Sequence, residues 1–314
     1  MNGKKKISII GGTGNLGVPV VKFLLKSGFE IKLIVRNVSK AQQLFETGTQ
    51  LKLIEADLKN VTELKAALSD TEYLYLNLST QATDINIPFS AEREGVDNIL
   101  KALNQEHIKQ IIVISGLGAF DNVYKPDGFE FIPNIIRKQG HKLLKNSGIP
   151  YTILHCSWFA DSFIIYRRNN VYSVIGNTTD PIYFINAYDY TMQLIKAVGN
   201  PDAFYKEFPI QGDKGITHPA AAKTFLDTYA EHAKVKLLPA KIISFMALFN
   251  KEMKYVKHMS DYFSVSSETF LSKEYNTYDI LGIPSLSLTQ YAEKLKQEKI
   301  YDYLEKGSNE NNKA

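Results

Sequence analysis

The chain has 314 residues, 44% of them hydrophobic, which is enough to bury one large core or two lobes. Its 37 basic and 33 acidic residues leave a formal charge of +4. Because basic and acidic residues are nearly balanced, the composition gives no support to nucleic-acid binding. A single cysteine, Cys156, excludes an internal disulfide and favours a reducing compartment. No apolar stretch approaches the roughly 20 residues that cross a bilayer, so we expect a cytoplasmic protein without a membrane partner.

The first stretch with a functional pattern runs from Lys6 to Gly17, KISIIGGTGNLG. An apolar, β-branched run leads into Gly11, Gly14 and Gly17, and an amphipathic helical pattern follows. The first glycine allows a tight turn, the second lets the backbone approach a pyrophosphate, and the third lets the helix pack close to the sheet. The free N–H groups of the helix would then bind the phosphates. We therefore predict a dinucleotide site, although a glycine-rich turn without a ligand has the same local pattern.

Further strands and helices alternate through the first half of the chain. The predicted strands after the first are Ile31–Val35, Leu51–Ile54, Tyr73–Leu76, Ile111–Ser115 and Tyr151–Leu154. They are mostly continuous apolar runs, as expected where helices cover both faces of a sheet. The alternation predicts an α/β fold with a doubly wound parallel sheet of the Rossmann type.

The regular alternation stops near Leu154, and short aromatic segments follow. We predict an NAD(P)-binding Rossmann domain over residues 1–155 and a smaller C-terminal lobe, mainly for substrate binding, over residues 156–306. Some segments of this lobe are expected to return to the Rossmann core. The segment from Ile242 to Phe249 is apolar nearly all round, which predicts either burial under the lobe or a subunit contact. The polar residues 307–314 are predicted to form a disordered tail.

The glycine turn resembles the GGTGxxG fingerprint of the atypical short-chain dehydrogenase/reductases, in particular their NmrA-like and isoflavone-reductase-like group. The resemblance extends over most of the chain. The Lys-Ser/Thr pair of a nucleotide-hydrolase phosphate loop is missing after the last glycine. The resemblance implies a nicotinamide dinucleotide whose phosphate-binding turn consists of Gly11, Thr13, Gly14, Asn15, Leu16 and Gly17.

Residues after the second and third predicted strands are candidates for contact with the adenosine. Arg36 follows the second strand, where an NAD-binding protein usually places Asp or Glu for the ribose hydroxyls. A guanidinium suits the 2′-phosphate of NADP instead, so we predict NADP as the cofactor, with a surface arginine as the alternative. The resemblance implies that Asp57 accepts a hydrogen bond from the adenine amine and that Leu58 packs on the ring. A turn or cap aspartate is the alternative interpretation of Asp57.

Polar residues also end the fourth and fifth predicted strands. Asn77, Leu78 and Ser79 follow the fourth strand, and Ser115 ends the fifth. Ligands of open parallel sheets bind outside the carboxyl ends of the strands, near the switch in strand order. We therefore expect these residues to line the nicotinamide and its ribose. Ser115 also matches the position of the catalytic serine in ordinary short-chain dehydrogenases, although a serine that merely ends a strand is the alternative.

The proton donor is not evident from the sequence. The Tyr-x-x-x-Lys pair of ordinary short-chain dehydrogenases is absent from the fifth helical pattern, where Asn134 stands four residues before Lys138. The resemblance implies that Lys138 holds the nicotinamide ribose and, in an enzyme, moves a proton; a solvated helix lysine is the alternative. His155 and Cys156 stand where the family usually has Arg-Pro, and the imidazole is predicted to point towards the cleft; a structural or substrate-contact histidine is the alternative. The catalytic candidates are therefore Lys138, Ser115 and His155.

Two functions remain open. The leading hypothesis is an NADP-dependent reductase that passes a hydride to a small, fairly apolar carbonyl, enone or quinone. The rival is a non-catalytic NADP(H)-binding redox sensor that acts through a protein partner, which the missing tyrosine favours. The oligomeric state, including a homodimer, stays undetermined by the sequence. No sequence motif for a metal site is present.

Overall fold

A computed structural model describes residues 5–46, 48–120 and 129–304 of the chain. Its centre is a seven-stranded parallel sheet in the order β3-β2-β1-β4-β5-β6-β9. The strands of this sheet are β1 (Lys6–Ile10), β2 (Glu30–Val35), β3 (Leu51–Glu55), β4 (Tyr73–Leu76), β5 (Gln110–Gly116), β6 (Tyr151–Cys156) and β9 (Lys206–Ile210). The predicted tail, residues 307–314, lies outside the described residues.

Helices surround the sheet, and two small sheets lie apart from it. The helices are α1 (Gly17–Lys26), α2 (Val38–Leu44), α3 (Val61–Leu68), α4 (Val96–Ala102), α5 (Ile132–Asn146), α6 (Ser162–Ile165), α7 (Ala187–Ala197), α8 (His218–Tyr229), α9 (Ala240–Ala247), α10 (Lys251–Val265), α11 (Thr277–Leu281) and α12 (Leu288–Glu298). The small sheets pair β7 (Val171–Val174) with β11 (Lys234–Leu237) and β8 (Pro181–Ile182) with β10 (Ile216–Thr217).

The sheet is apolar on both faces because helices cover both. On β5, Ile112 and Ile114 pack into the cluster that contains α1 and α7. Ile111 and Val113 of the same strand pack into the opposite cluster, with α3, α4 and α5. Alternate residues of a strand point to opposite faces, so a strand buried on both sides must be apolar throughout. The predicted doubly wound α/β fold is confirmed.

The strand order positions the site. β1 lies third in the sheet, with β2 on one side and β4 on the other. The chain therefore builds the sheet outwards in both directions from β1, and the loops after β1 and β4 separate at their carboxyl ends. This switch in strand order is the place where open α/β sheets bind their ligands.

The second half of the chain forms a further layer. Its strand β9 pairs with β6 and extends the main sheet. Most of the rest of this half packs around a third cluster, which includes Phe163 of α6, Phe225 of α8 and Leu295 of α12. Within the described parts of the chain, no helix is long and apolar enough to cross a membrane.

Helix α9 is largely exposed. Ile243 is completely buried, but Phe245, Leu248 and Phe249 are 64%, 72% and 79% exposed. The prediction that this apolar segment is buried under the lobe is therefore wrong, because only one stripe of the short helix faces the protein. The alternative prediction, a subunit contact, stays a prediction.

A buried carboxylate joins the segment around α12 to α6 and α7. Asp161 has no exposed surface. It accepts hydrogen bonds from the hydroxyls of Tyr291 and Tyr301, at 2.5 and 2.6 Å, and from the backbone N–H of Ala187, at 3.0 Å. Burial raises the pKa of Asp161, while these three donors stabilise its charged form. One side chain thus joins α6, α7 and the segment around α12.

We expect Asp161→Ala to lower the free energy of unfolding by about 3 kcal/mol or more, because each buried donor left without a partner costs about 1–3 kcal/mol. The control is Asp227→Ala, which removes an exposed carboxylate paired with Lys223 on α8. This control should change the stability by less than about 0.5 kcal/mol. Urea unfolding of both variants provides the measurement. Equal losses in the two variants would contradict the role of Asp161.

Candidate functional site

The glycine turn after β1 lies against the end of β4. Gly11 has φ +88°, and a Cβ atom built on it would lie 2.0 Å from the carbonyl oxygen of Asn77. A Cβ atom on Gly17 would lie 2.2 Å from the carbonyl oxygen of Gly11. Any other residue at either position would displace backbone, because the atoms it meets are not flexible side chains. Gly11 and Gly17 therefore serve the predicted turn and the close packing of the helix.

The start of α1 carries no side-chain cap. Its N-cap residue, Leu16, accepts no hydrogen bond through its side chain. Gly14 and Asn15 are exposed next to it, and Gly14 donates to the Gly11 carbonyl at 3.1 Å, which closes the turn. Val18 already donates its backbone N–H to the Gly14 carbonyl at 3.0 Å and Pro19 has no N–H, so a phosphate here would be bound by the backbone N–H groups that precede Val18.

The adenosine side of the predicted site is built by the ends of β2 and β3. Arg36 is exposed directly after β2, and Asn37 caps α2 by accepting from the backbone N–H of Lys40 at 2.8 Å. After β3, a carboxylate oxygen of Asp57 accepts from the N–H of Lys59 at 2.8 Å. Asp57 thus forms the turn that was its alternative interpretation. Contacts of Asp57 and Leu58 with an adenine ring stay predictions.

One cavity of about 350 Å³ collects the residues predicted at the ends of three strands. The predicted residues that line it are Asn15, Leu16, Asn77, Leu78, Ser79 and Ser115. The amide nitrogen of Asn77 is buried there without a hydrogen-bond partner among the described residues. A buried donor of this kind is costly unless a ligand or water accepts from it. The cavity therefore offers a polar group where the nicotinamide end of a cofactor is predicted.

Arg137 rather than Lys138 lines this cavity. Its guanidinium pairs with Glu92 at 2.6 Å and donates to the side-chain oxygen of Asn134 at 3.0 Å. Lys138 is partly buried and lies outside the lining residues. Neighbouring helix residues point about 100° apart, so the register of α5 decides which cation reaches the cavity. The role of Lys138 in cofactor binding and proton transfer stays a prediction.

The structure places His155 away from the cavity. Its side chain is completely buried, Nε2 lies 2.9 Å from a carboxylate oxygen of Glu207, and the ring stacks on Phe120 with 4.8 Å between centroids. Burial lowers the pKa of His155, although the hydrogen bond to Glu207 opposes the shift. The expectation that the imidazole points towards the cleft is wrong, because the ring is enclosed beside β9. Its catalytic role stays a prediction.

His141, His155 and Glu207 form a buried cluster that no sequence motif indicates, with one potential ligand atom of each within 4.8 Å of the others. Lys145 pairs at 2.5 Å with the carboxylate oxygen of Glu207 that His155 does not contact, so an ammonium group that would repel a metal ion lies beside the cluster. Burial lowers the pKa of His141 well below its usual value, and its Nε2 has no hydrogen-bond partner in the described parts of the chain. The cluster therefore consists of two histidines with lowered pKa values beside Glu207, whose carboxylate is already paired with Lys145.

The far wall of the cavity is aromatic and comes from the second half of the chain and the start of α5. Phe131 stacks on Tyr262 with 4.7 Å between ring centroids, and Trp158 lies 4.4 Å from Phe263. All four residues line the cavity. Such a wall gives apolar, flat surface to a ligand.

A carboxylic acid with a raised pKa lies on the same wall. Glu268 accepts a hydrogen bond from the hydroxyl of Ser157 at 2.8 Å, and both residues line the cavity. Burial raises the pKa of Glu268 to about 7. Sequence reasoning missed both residues, because they belong to no motif and 111 positions separate them. Only the folded chain brings them to the cofactor side of the sheet.

The comparison with known families agrees with this geometry. Residues 11–179, more than half of the chain, match the family model described as NAD(P)H-binding. The chain belongs to this NAD(P)H-binding family. Its nicotinamide cofactor fits the site, since the glycine turn, the uncapped start of α1 and the unpartnered amide of Asn77 lie along one edge of the sheet.

Several known proteins resemble this NAD(P)H-binding protein. The photosystem II assembly factor Ycf39 of Synechocystis sp. is 23% identical over 263 residues, which are 82% of this chain and 77% of that protein. The NADPH complex of quinone oxidoreductase QOR2 of Escherichia coli has a TM-score of 0.67 at 22% identity and covers 92% of this chain and 99% of its own. Citrobacter sp. triphenylmethane reductase with NADP(H) has a TM-score of 0.66 at 17% identity, with coverages of 93% and 99%. These structures share the fold.

We expect Lys138→Met to weaken cofactor binding and, where turnover is measurable, to lower the rate at least about tenfold, since a positioned proton-transfer group typically contributes about 10²–10⁴-fold. The matched control is Lys142→Met, because Lys142 is exposed one helical turn later on α5. Fluorescence titration with NADPH and NADH measures binding. If Lys138→Met binds as the wild type does while Arg137→Lys binds more weakly, the cation at the cofactor is Arg137 and the prediction for Lys138 is wrong.

Proposed function

We propose that this protein is an NADP-dependent oxidoreductase that reduces a small, fairly apolar carbonyl, enone or quinone. The observation that carries the proposal is one cavity in which the predicted cofactor residues at the ends of β1, β4 and β5 continue into an aromatic wall. The cofactor would supply a hydride, and Asn77 and Ser115 would orient it. Trp158 and Phe263 would bind the flat, apolar face of an acceptor and exclude water.

The relatives support a reductase of conjugated acceptors. One similar structure is a quinone oxidoreductase and another a triphenylmethane reductase. We further propose that the chain belongs to the NmrA-like group of the atypical short-chain dehydrogenase/reductases. The glycine fingerprint and the missing Tyr-x-x-x-Lys tyrosine support this proposal. We also propose a cytoplasmic location, because the single cysteine, Cys156, leaves no disulfide to form within the chain.

The preference for NADP rests on Arg36. The residue is exposed at the end of β2, and its side chain makes no hydrogen bond or ion pair with any other residue in the described ranges. The side chain is thus available for the 2′-phosphate of the adenosine ribose. A charge-assisted hydrogen bond to phosphate contributes roughly 1.5–3 kcal/mol, less where solvent screens it.

A non-catalytic NADP(H)-binding regulator that acts through a protein partner is the second candidate. The observation that favours it is the exposed apolar surface formed by Phe245, Leu248 and Phe249 at the end of α9. Exposed apolar patches of this kind often mark interaction sites. One relative is a photosystem II assembly factor, a role that also suits a partner surface. The same surface would suit a homodimer.

Turnover separates the two candidates. We expect the purified protein to oxidise NADPH when it is offered a panel of quinones, enones and aldehydes, because the cavity provides both a cofactor edge and an apolar wall. Absorbance of NADPH measures the rate against buffer alone. Tight NADPH binding without turnover above buffer across the panel would reject the reductase and favour the regulator.

We expect the wild type to bind NADPH more tightly than NADH by on the order of 10-fold, since a contact of about 1.4 kcal/mol corresponds to one factor of ten and Arg36 is exposed. Arg36→Asp should reverse the preference, because a carboxylate repels the 2′-phosphate and accepts from a free 2′-hydroxyl. The control, Lys65→Asp, makes the same charge change on the exposed side of α3. Titration of both reduced cofactors at fixed ionic strength provides the measurement. An equal preference in wild type and Arg36→Asp would show that the side chain points away from the ribose.

A further inference from the structure

Glu268 occupies a fixed position on the substrate side of the cavity. It lies between α10 and α11, and its two carboxylate oxygens have different partners. One oxygen accepts from the hydroxyl of Ser157 at 2.8 Å, and the other accepts from the amide of Gln211 at 2.7 Å. Both partners follow strands of the main sheet, Ser157 after β6 and Gln211 after β9. The carboxyl group is therefore attached to the carboxyl edge of the sheet, where cofactor and acceptor are predicted to meet.

Gln211 holds the whole segment around Glu268. It is completely buried, and its side-chain oxygen accepts from the backbone N–H groups of Leu271 and Ser272 at 2.7 and 3.1 Å. Its amide nitrogen also donates to the carbonyl of Thr269 at 2.9 Å. Ser157 is fixed by its backbone N–H, which donates to the carbonyl of Ile210 at 2.9 Å. The distance between the Ser157 hydroxyl and the Glu268 carboxyl group is thus set by backbone on both sides.

The surroundings of this carboxyl group are polar but uncharged. Its contacts are Ser157, Gln211 and the backbone of Tyr183, and no charged side chain of the described residues contributes to its pKa shift. Tyr278 donates to the backbone carbonyl of Gln211 from the other side. The charged or titratable groups elsewhere on the cavity wall include Arg137, Asp180, Tyr166, His218 and Tyr262. With a pKa of about 7, the acid is partly protonated at neutral pH.

The other candidates for a proton donor have weaker geometry. His155 is completely buried beside Glu207, and Lys138 lies outside the lining residues. Among the described residues, the hydroxyl of Ser115 reaches only the adjacent Gly116 carbonyl, at 3.5 Å, and no acid of this part of the chain stands behind it to restore a donated proton. Ser157 differs from Ser115 in this respect, because its hydroxyl is hydrogen-bonded to a carboxyl group on the same cavity.

We propose that Glu268 is the proton source of the reduction and acts through the hydroxyl of Ser157. This proposal rests on the proposed reductase function. Bound NADPH would supply a hydride to one atom of the acceptor and would be left as NADP+, while the carbonyl or conjugated π bond of the acceptor would break and leave two electrons on its oxygen. Ser157 then gives its proton to that oxygen and takes the proton of the Glu268 carboxylic acid. Glu268 ends as a carboxylate and regains a proton from solvent before the next turnover.

The test is the pH dependence of single-turnover reduction with NADPH bound. In the wild type, the rate should fall as the pH rises through about 7, because the acid form of Glu268 is lost. Glu268→Gln preserves the shape and both hydrogen-bond positions but has no acidic proton. We expect it to be at least about tenfold slower at acidic pH and to lose this pH dependence. Glu274→Gln, an exposed change six residues further along, is the control and should keep the rate and profile of the wild type.

A second pair of variants tests the path of the proton. Ser157→Ala should be slow like Glu268→Gln, whereas Ser157→Thr keeps a hydroxyl and should restore most of the rate. NADPH titration of every variant shows that the cofactor site is intact. If Glu268→Gln does not fold, this Ser157 pair alone decides the proposal. Equal rates in Ser157→Ala and Ser157→Thr would then overturn it.

Thermal unfolding supplies a readout that does not depend on turnover. The folded protein holds the Glu268 proton up to about pH 7, whereas a carboxyl group with the ordinary value of 4.5 releases it earlier. Over this window the native state binds more protons, so the stability that Glu268 contributes falls as the pH rises from 4.5 towards 7. The unfolding midpoint of the wild type should therefore fall relative to that of Glu268→Gln over the same window. A constant difference would overturn the proposal, because Glu268 would then titrate normally.

The outcomes separate this proposal from the function on which it rests. If the wild type reduces no acceptor, both are overturned. If it reduces acceptors and Glu268→Gln keeps the wild-type rate and pH profile, the reductase stands and the role of Glu268 falls. A rate loss in Glu268→Gln that leaves the pH dependence unchanged would show a structural contribution only, and would also overturn the proposal.

Discussion

The close approach of the glycine turn to the end of β4 is the constraint on which the site depends. The position of a Cβ atom on Gly11 falls within 2.0 Å of the Asn77 carbonyl oxygen, so the two loops can meet only through a residue without a side chain. Asn77 itself donates its backbone N–H to Ile10 at 2.9 Å, which continues the ladder between β1 and β4 to the edge of the sheet. This contact brings the uncapped start of α1 and the buried amide of Asn77 to one side of the cavity.

The cavity joins two halves of the chain that are built in different ways. The first half contributes a parallel sheet whose strands are apolar on both faces, and its polar residues cluster at the carboxyl ends. The second half contributes aromatic rings packed on one another, together with buried carboxylates such as Asp161 that each accept several hydrogen bonds. Because β9 pairs with β6, the residues after these strands are held by the same sheet that holds the glycine turn. The aromatic wall of the cavity is thereby fixed relative to the glycine turn by the main sheet.

Burial shifts the pKa values of the ionisable groups near the sheet, and the hydrogen-bond partners of each group determine which charge state is stabilised. Burial lowers the pKa of His155, which leaves it neutral beside Glu207 in the interior. At Asp161 burial raises the pKa, but two tyrosine hydroxyls and a backbone N–H stabilise the charged form and make the residue a structural anchor. The partners of Glu268 among the described residues are uncharged and the residue lines a cavity, so burial raises its pKa to about 7.

The sequence by itself determined the parts that depend on local pattern. Apolar runs and glycine spacing predicted the positions of the first six strands along the chain, the doubly wound sheet and the turn from Gly11 to Gly17, because period and backbone freedom are local properties. Strand ends also predicted that Asn77 and Ser115 would meet at one cavity, since parallel strands share one carboxyl edge. The tertiary structure alone decided which side chains face that cavity. The register of α5 directs Arg137 to the cavity, and His155 is buried beside Glu207 of β9. Glu268 contacts Ser157, which lies 111 positions away in the sequence. Helix register and contacts between distant segments depend on the packing of the whole chain, and no local pattern encodes them.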